Sequence, residues 1–204
     1  MRQIATIRLL TTVVLLLAVS PAWAGAPTDN VREYTEAVVK VLEDQTLKDG
    51  DRRAAVRKLA TEAFDVQETA RRALGQHWQQ RTPAEREEFV GLFADLLERT
   101  YISKIDLYGG ERLKFTDEKI DGDNATVRGK VTTKQGTDVP VEARMRKKGD
   151  RWLIYDVAIE NISLISNYRA QFDRIIRTSS YGELVKRLRN RGEFLQEKDR
   201  RAGG

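Results

Sequence analysis

The sequence predicts an α+β fold, in which a twisted antiparallel sheet of about four strands packs against several helices. Between Trp152 and Phe172 the apolar residues change from a period of two to helical spacing, so a strand is followed at once by a helix. Before Gly110 the apolar residues recur at helical spacing, whereas after it they alternate with polar residues between short turns. Helices therefore come first, the sheet follows, and the last helices fold back onto it.

The N-terminus has the organisation of a secretory signal peptide. Arg2 and Arg8 make its start positive, and residues 9–19 are apolar but too few to span a membrane. Ala22-Trp23-Ala24 then offers a cleavage site of the small-x-small type. We expect a signal peptide over residues 1–24, with an uncleaved membrane anchor as the alternative.

The rest of the chain is expected to form a single domain over residues 25–190, with a flexible charged tail over residues 191–204. Loss of the two leader arginines lowers the formal charge from +5 to +3. The chain has no cysteine, so an exported fold would depend on packing rather than disulfides. An export signal and an arginine-rich composition together indicate the periplasm of a Gram-negative bacterium.

Several helix starts can be read from capping residues. Thr28 or Asp29 is expected to cap the first helix, and Asp65 a short third one. Thr82-Pro83-Ala84-Glu85 combines an N-cap threonine, a first-turn proline and a capping-box glutamate. The long amphipathic helix that follows is expected to run to Gly109-Gly110.

The sheet is predicted from alternating segments separated by turns. Asp121-Gly122-Asp123-Asn124, Gln135-Gly136 and Lys148-Gly149-Asp150 read as those turns. Because connections this short join adjacent antiparallel strands, we expect a meander.

The strand that begins at Trp152 is expected to be central, because both of its faces are largely apolar. The period of two places Leu153, Tyr155, Val157 and Ile159 on one face, and Trp152, Ile154, Asp156 and Ala158 on the other. Ser163 is expected to cap the helix that follows.

Asp156 interrupts this apolar strand. We interpret it as the structural partner of an arginine such as Arg169, because a buried charge needs a partner. The alternative is a small enzyme in which Asp156 is the general base of a cone-shaped apolar site.

Other candidates for chemistry are few. His77 is the only histidine and reads as a surface or helix-end residue. The sequence has no Cys/His metal spacing and no phosphate loop, so we expect no catalytic residue, no metal and no cofactor. Arg128, Lys130, Arg144 and Arg146 form a basic outer sheet face. It is interpreted as a solvated surface, or else as a docking surface for an acidic partner or anionic headgroups; nucleic acid is not expected.

Two sets of motifs resemble a known family. The first is Ala73-Leu74-Gly75, Trp78, Thr82-Pro83-Ala84-Glu85-Arg86-Glu87-Glu88-Phe89, Phe93, Leu96-Leu97 and Tyr101. The second is Trp152-Leu153-Ile154-Tyr155-Asp156-Val157, Glu160-Asn161-Ile162-Ser163-Leu164-Ile165 and Asn167-Tyr168-Arg169-Ala170-Gln171-Phe172. In order and spacing they resemble the MlaC family of toluene-tolerance periplasmic auxiliary proteins, from about Val31 to Leu188. Asn161 departs from the pattern, since glycine is expected there.

The resemblance implies a soluble periplasmic phospholipid carrier whose fold encloses an apolar pocket for acyl chains. Such carriers move lipid between an outer-membrane lipoprotein–porin complex and an inner-membrane ABC transporter with its substrate-binding subunit. They thereby maintain the lipid asymmetry of the outer membrane. A paralogous branch linked to hopanoid pathways would bind a polycyclic lipid instead.

The pocket residues are predicted from the apolar faces of the long helix, the sheet and the helix after Ser163. They are Phe93, Leu97, Tyr101, Val127, Val131, Val141, Met145, Tyr155, Val157, Ile165, Tyr168 and Phe172. A third hypothesis is an interaction module with a solid core and no ligand.

Overall fold

In a computed structural model of the protein, residues 26–102 and 108–190 are described. The helices are α1 (Pro27–Glu43), α2 (Asp49–Ala63), α3 (Val66–Leu74), α4 (Pro83–Tyr101), α5 (Leu164–Thr178) and α6 (Tyr181–Arg189), with a short 3-10 helix at Gly75–Gln80. The strands are β1 (Leu113–Asp121), β2 (Asn124–Thr132), β3 (Asp138–Lys148), β4 (Arg151–Ile159) and β5 (Ile162–Ser163). The α+β prediction is confirmed. The predicted signal peptide and tail lie outside the described residues.

The strands form one antiparallel sheet in the order β1-β2-β3-β4-β5, so the predicted meander is confirmed and gains a fifth strand of two residues. Among the described residues no helix is both long and apolar enough to cross a membrane.

A β-bulge in β4 changes which of its residues share a face. Asp156 pairs with Arg144, whereas Met145 pairs with Ile154, so Tyr155 is an extra residue in β4. Regular alternation is therefore interrupted in the middle of the strand.

The predicted common face of β4 is wrong because of this bulge. Val157 pairs with Ala143, while Leu153 pairs with Arg146 on the opposite face of β3. Ile154 and Val157 instead lie in one apolar cluster, on the side of the sheet that α1 covers.

Two apolar cores hold the fold together. One lies between the sheet and α1, and it contains Val31, Ala125, Val127, Met145, Trp152 and Ile154. The other lies within α3 to α6, where Phe93 packs edge-on against Tyr168 and Phe172 with ring centroids 5.2 and 5.3 Å away.

The junction between β4 and α5 is held by Asp156, which is only 4% exposed. Its carboxylate accepts hydrogen bonds from Arg144 (3.1 Å), the Ser163 hydroxyl (2.6 Å) and the Ile165 backbone amide (3.1 Å). The arginine partner is therefore Arg144 rather than Arg169, because the sheet register places Arg144 beside Asp156. Ser163 accepts from the Ser166 amide (3.0 Å), which confirms the predicted cap.

The capping box of α4 and the cap at Asp65 are also confirmed. The predicted cap of α1 is wrong: the helix begins at Pro27 without a side-chain cap, and Thr28 bonds Glu118 of β1 instead. Helix α4 is described from Pro83 to Tyr101, and Tyr108 lies outside any helix. The predicted continuation of the helix over residues 103–107 lies outside the described residues.

Candidate ligand-binding site

An apolar cavity lies between the sheet and the helices α1 and α2; we call it the sheet cavity. Its volume is about 440 Å³, within the usual range of ligand pockets. The helices contribute Val31, Tyr34, Thr35, Val38, Val39, Leu42, Val56, Leu59, Ala60, Ala63 and Phe64. The strands and the loop before them contribute Tyr108, Glu111, Leu113, Phe115, Val127, Arg128, Gly129, Val131, Val141, Glu142, Ala143, Ile154 and Val157.

A second apolar cavity adjoins the first; we call it the helix cavity. It has a volume of about 330 Å³ and lies between α2, α3, α4 and the junction of β4 with α5. Its lining consists of Arg57, Ala60, Thr61, Phe64, Val66, Thr69, Ala94, Leu97, Glu98, Tyr101, Ile102, Val157, Ile159 and Leu164.

The two cavities share a wall made of Ala60, Phe64 and Val157. Phe64 directly follows α2 and forms a parallel β-bridge with Ile154 of β4. The next amide, that of Asp65, donates to the Ile154 carbonyl at 2.8 Å. The backbone beneath this wall is thus tied to β4 of the sheet.

Several polar groups that line the cavities already have protein partners. In the helix cavity Arg57 forms an ion pair with Glu98 (2.6 Å), and the Thr69 hydroxyl donates to the Tyr155 carbonyl (3.1 Å). In the sheet cavity the Tyr34 hydroxyl donates to a backbone carbonyl of α2. The lining therefore offers a ligand mainly apolar contact, which suits hydrocarbon.

Six predicted pocket residues line these cavities. Leu97 and Tyr101 line the helix cavity, Val127, Val131 and Val141 line the sheet cavity, and Val157 lines both. Whether they touch a ligand stays a prediction.

The other six predicted residues lie elsewhere. Phe93, Ile165, Tyr168 and Phe172 belong to the buried core within α3 to α6, and Met145 is fully buried in the core between the sheet and α1. The Tyr155 ring lies under the guanidinium of Arg72, 3.8 Å from its centroid.

Sequence reasoning did not assign α1, α2 or Phe64 to the site. The apolar stripe of α1, which includes Val31, Tyr34 and Val38, is visible in the sequence and predicts an amphipathic helix. A stripe shows that one side is buried, but it does not show which element lies opposite. Nothing in the sequence indicates that Phe64 lies between two cavities, because this position depends on contacts between distant segments.

The polar groups that the sequence singled out have structural partners. His77 is only 8% exposed, and its Nε2 lies 2.9 Å from Asp173 of α5, so the predicted surface position is wrong. The alternative, a helix-end position, is confirmed, because His77 lies in the last turn of the 3-10 helix. The ring packs inward because it links the 3-10 helix to α5. Asp156 lines neither cavity. Among the described residues, no cluster of three acidic, histidine or cysteine residues could hold a metal ion.

The basic outer face is balanced by acids. Arg128 bonds Asp117 (2.6 Å) and Glu142 (2.9 Å), and Arg144 bonds Glu142 (2.9 Å) as well as Asp156. Lys130 lies 3.7 Å from Asp138, and Arg146 lies 3.8 Å from Glu68. These pairs make the face a set of alternating charges rather than a positive patch.

A wider groove of about 900 Å³ is a poor candidate for an apolar ligand. It lies between α3, α4 and the end of β3, and charged side chains such as Glu68, Arg71, Arg146 and Lys148 line it. Most of these charges already pair with one another. The two apolar cavities remain the candidate site.

The fold and these cavities define a class of protein in which an antiparallel sheet and helices surround apolar cavities. Residues 32–190 match the family described as MlaC protein, and because this is most of the chain, the protein belongs to that family. The fold is similar to that of a phospholipid-binding protein from Ralstonia solanacearum, solved in complex with a phospholipid. The TM-score is 0.72 at 24% identity, over 82% of this chain and 97% of the other.

Proposed function

We propose that this protein binds a phospholipid and carries it across the periplasm. The observation that carries the proposal is the pair of adjoining cavities, whose linings are almost entirely hydrocarbon. Membership of the MlaC family and a similar fold that holds a phospholipid support it.

Hydrocarbon burial is sufficient to explain such a role. Burying about 15 methylene groups, at about 0.8 kcal/mol each, stabilises one acyl chain by about 12 kcal/mol relative to water. A bilayer offers a similar gain, so transfer between a membrane and the cavities is close to balanced. A carrier of this kind needs enclosed apolar volume and no catalytic group.

The wider context of the proposal is export by a cleaved signal peptide and exchange with two membrane complexes. We propose an outer-membrane lipoprotein–porin complex and an inner-membrane ABC transporter with its substrate-binding subunit as partners. Support comes from the leader-like N-terminus and from the family. N-terminal sequencing of the periplasmic form, and co-purification with each complex, test the two parts separately.

The first test is mass spectrometry of an organic extract from the purified mature protein, expressed to the periplasm. We expect close to one phospholipid per chain. If the extract contains a polycyclic lipid instead, the protein is still a lipid carrier, but its ligand is not a phospholipid. An empty extract from well-folded protein would contradict the proposal.

A matched pair of variants ties lipid occupancy to the sheet cavity. Val141→Glu places a charge on the cavity lining, where its desolvation opposes hydrocarbon binding. Lys130→Glu makes a charge change on the opposite face of the sheet, at an exposed position. We expect the first variant to lose bound lipid and the second to keep it. If both variants fold and hold equal amounts of lipid, the lipid does not bind in the sheet cavity.

A further inference from the structure

We propose that Phe64 divides the site into two single-chain subsites, so that a two-chain lipid places one chain in the sheet cavity and the other in the helix cavity. This inference rests on the proposed function and specifies how the ligand is held. It makes Phe64 a positioning residue that sets how many hydrocarbon chains the protein accepts.

The cavity volumes support one chain in each subsite. If a methylene group fills about as much space as a water molecule in the liquid, roughly 30 Å³, the sheet cavity holds about 15 carbons and the helix cavity about 11. By this measure each cavity matches a single acyl chain in size. Together they match a lipid with two.

The dividing wall is fixed at its base. Phe64 has extended backbone geometry after α2, its amide donates to Ala60 at 3.0 Å, and it is bridged to Ile154 of β4. Asp65, the next residue, caps α3. Because helices on both sides and the sheet hold this backbone, the position from which the Phe64 side chain extends is fixed relative to both cavities.

Some lining residues are shared by the two cavities, and others belong to one cavity alone. Ala60 and Val157 complete the shared wall with short side chains, so only a thin barrier separates the two cavities. Val131 lies on the lining of the sheet cavity alone, and Ala94 on that of the helix cavity alone. Each cavity can therefore be filled independently by mutation.

The test compares two blocking variants, Val131→Trp and Ala94→Trp, with wild type. The probes are a diacyl phosphatidylcholine and its monoacyl lysophosphatidylcholine, the latter used below its micelle concentration. Native mass spectrometry gives the stoichiometry, and titration with a fluorescent analogue gives the affinity. Lys130→Trp and Gly91→Trp are the controls, because both add tryptophan at exposed positions on the same strand or helix.

We expect wild type to bind one diacyl lipid or two monoacyl lipids. Each blocking variant should lose diacyl affinity by tenfold or more, since about two buried methylenes account for a tenfold change. Each should still bind one monoacyl lipid, which also shows that the variant is folded. The controls should behave as wild type.

Some outcomes would overturn the inference and leave the function intact. If either blocking variant keeps wild-type diacyl affinity, both chains lie in the other cavity. If a blocking variant loses monoacyl binding altogether, the milder Val131→Phe or Ala94→Leu takes its place. That variant must then lose diacyl affinity and still bind one monoacyl lipid. Wild type that binds neither probe would instead contradict the proposed function.

Discussion

At the scale of the residue, Glu68 shows how a buried charge is held. It is only 7% exposed, and its carboxylate accepts two hydrogen bonds from Arg71 (2.6 Å each) and one from Arg72 (2.7 Å). The Arg71 hydrogen bonds, reinforced by Arg72 and opposed by burial, lower the pKa of Glu68 to about 2. The ionised form is thus the one that the fold stabilises.

This pKa predicts a pH dependence of stability. In the unfolded chain the Glu68 carboxyl has an ordinary pKa near 4.5, so its contribution is fully present above that pH and is lost as the pH falls from about 4.5 to about 2. In Glu68→Gln we expect a smaller loss of unfolding free energy over this range, measured by urea titrations at several pH values. If the free energy of unfolding depends on pH equally in wild type and variant, Glu68 is not the source of this pH dependence.

Gly75 carries a second residue-level prediction. It ends α3 with φ +58° and ψ −130°, a conformation that side chains disfavour, and an added Cβ would lie 3.0 Å from Arg169 Cδ. We expect Gly75→Ala to lower the free energy of unfolding by about 1–3 kcal/mol. Gly91→Ala, in the open middle of α4, should raise it by up to about 1 kcal/mol. Chemical denaturation of the two variants should therefore give opposite signs.

At the scale of the element, β4 shows what sequence patterns predict and where they stop. The turn before it and the cap at Ser163 were predictable, because each depends on local chemistry. Its place in the sheet was not, since β3 is the middle strand and β4 adjoins the two-residue edge strand β5. The facing of Leu153 was not, because the bulge at Tyr155 arises from pairing with β3. Only half of the predicted pocket residues line the cavities, for a related reason. A period identifies buried faces, whereas the separation between packed elements decides whether they enclose a cavity.

The turn between β4 and β5 makes a further prediction at this scale. Glu160 and Asn161 have φ values of +51° and +65°, as in a type I′ turn. Asparagine tolerates this conformation, and glycine suits it better. We expect Asn161→Gly to raise the midpoint of thermal unfolding slightly, whereas Asn161→Val should lower it. A lower midpoint for the glycine variant would show that the Asn161 side chain itself matters.

At the scale of the whole molecule, the candidate site adjoins the apolar cores. The sheet cavity shares Val31, Val127 and Ile154 with the core between the sheet and α1, and the helix cavity lies between α2, α3, α4 and the junction of β4 with α5. The proposed lipid would occupy these cavities. Its binding should be linked directly to global stability.

We accordingly expect delipidated protein to unfold at a lower temperature than the lipid-bound form. A ligand at 100 times its Kd adds about 2.7 kcal/mol, which corresponds to roughly 5–10 °C for a domain of this size. Differential scanning calorimetry of extracted and reloaded protein measures the shift. The unfolding temperature of Val141→Glu should not rise on reloading. A rise as large as that of wild type would show that the stabilisation does not depend on lipid in the sheet cavity.

The outer strands of the sheet bear on how the protein avoids self-association. On one side β1 is bulged between Phe115 and Asp117 and exposes Lys114 and Lys119, and on the other β5 ends after two residues by entering α5. Charged, irregular or very short margins give a foreign strand little regular backbone to pair with. The two edges of the sheet thus offer little for self-association. We expect the double substitution Lys114→Val and Lys119→Val to cause aggregation that appears as concentration-dependent light scattering.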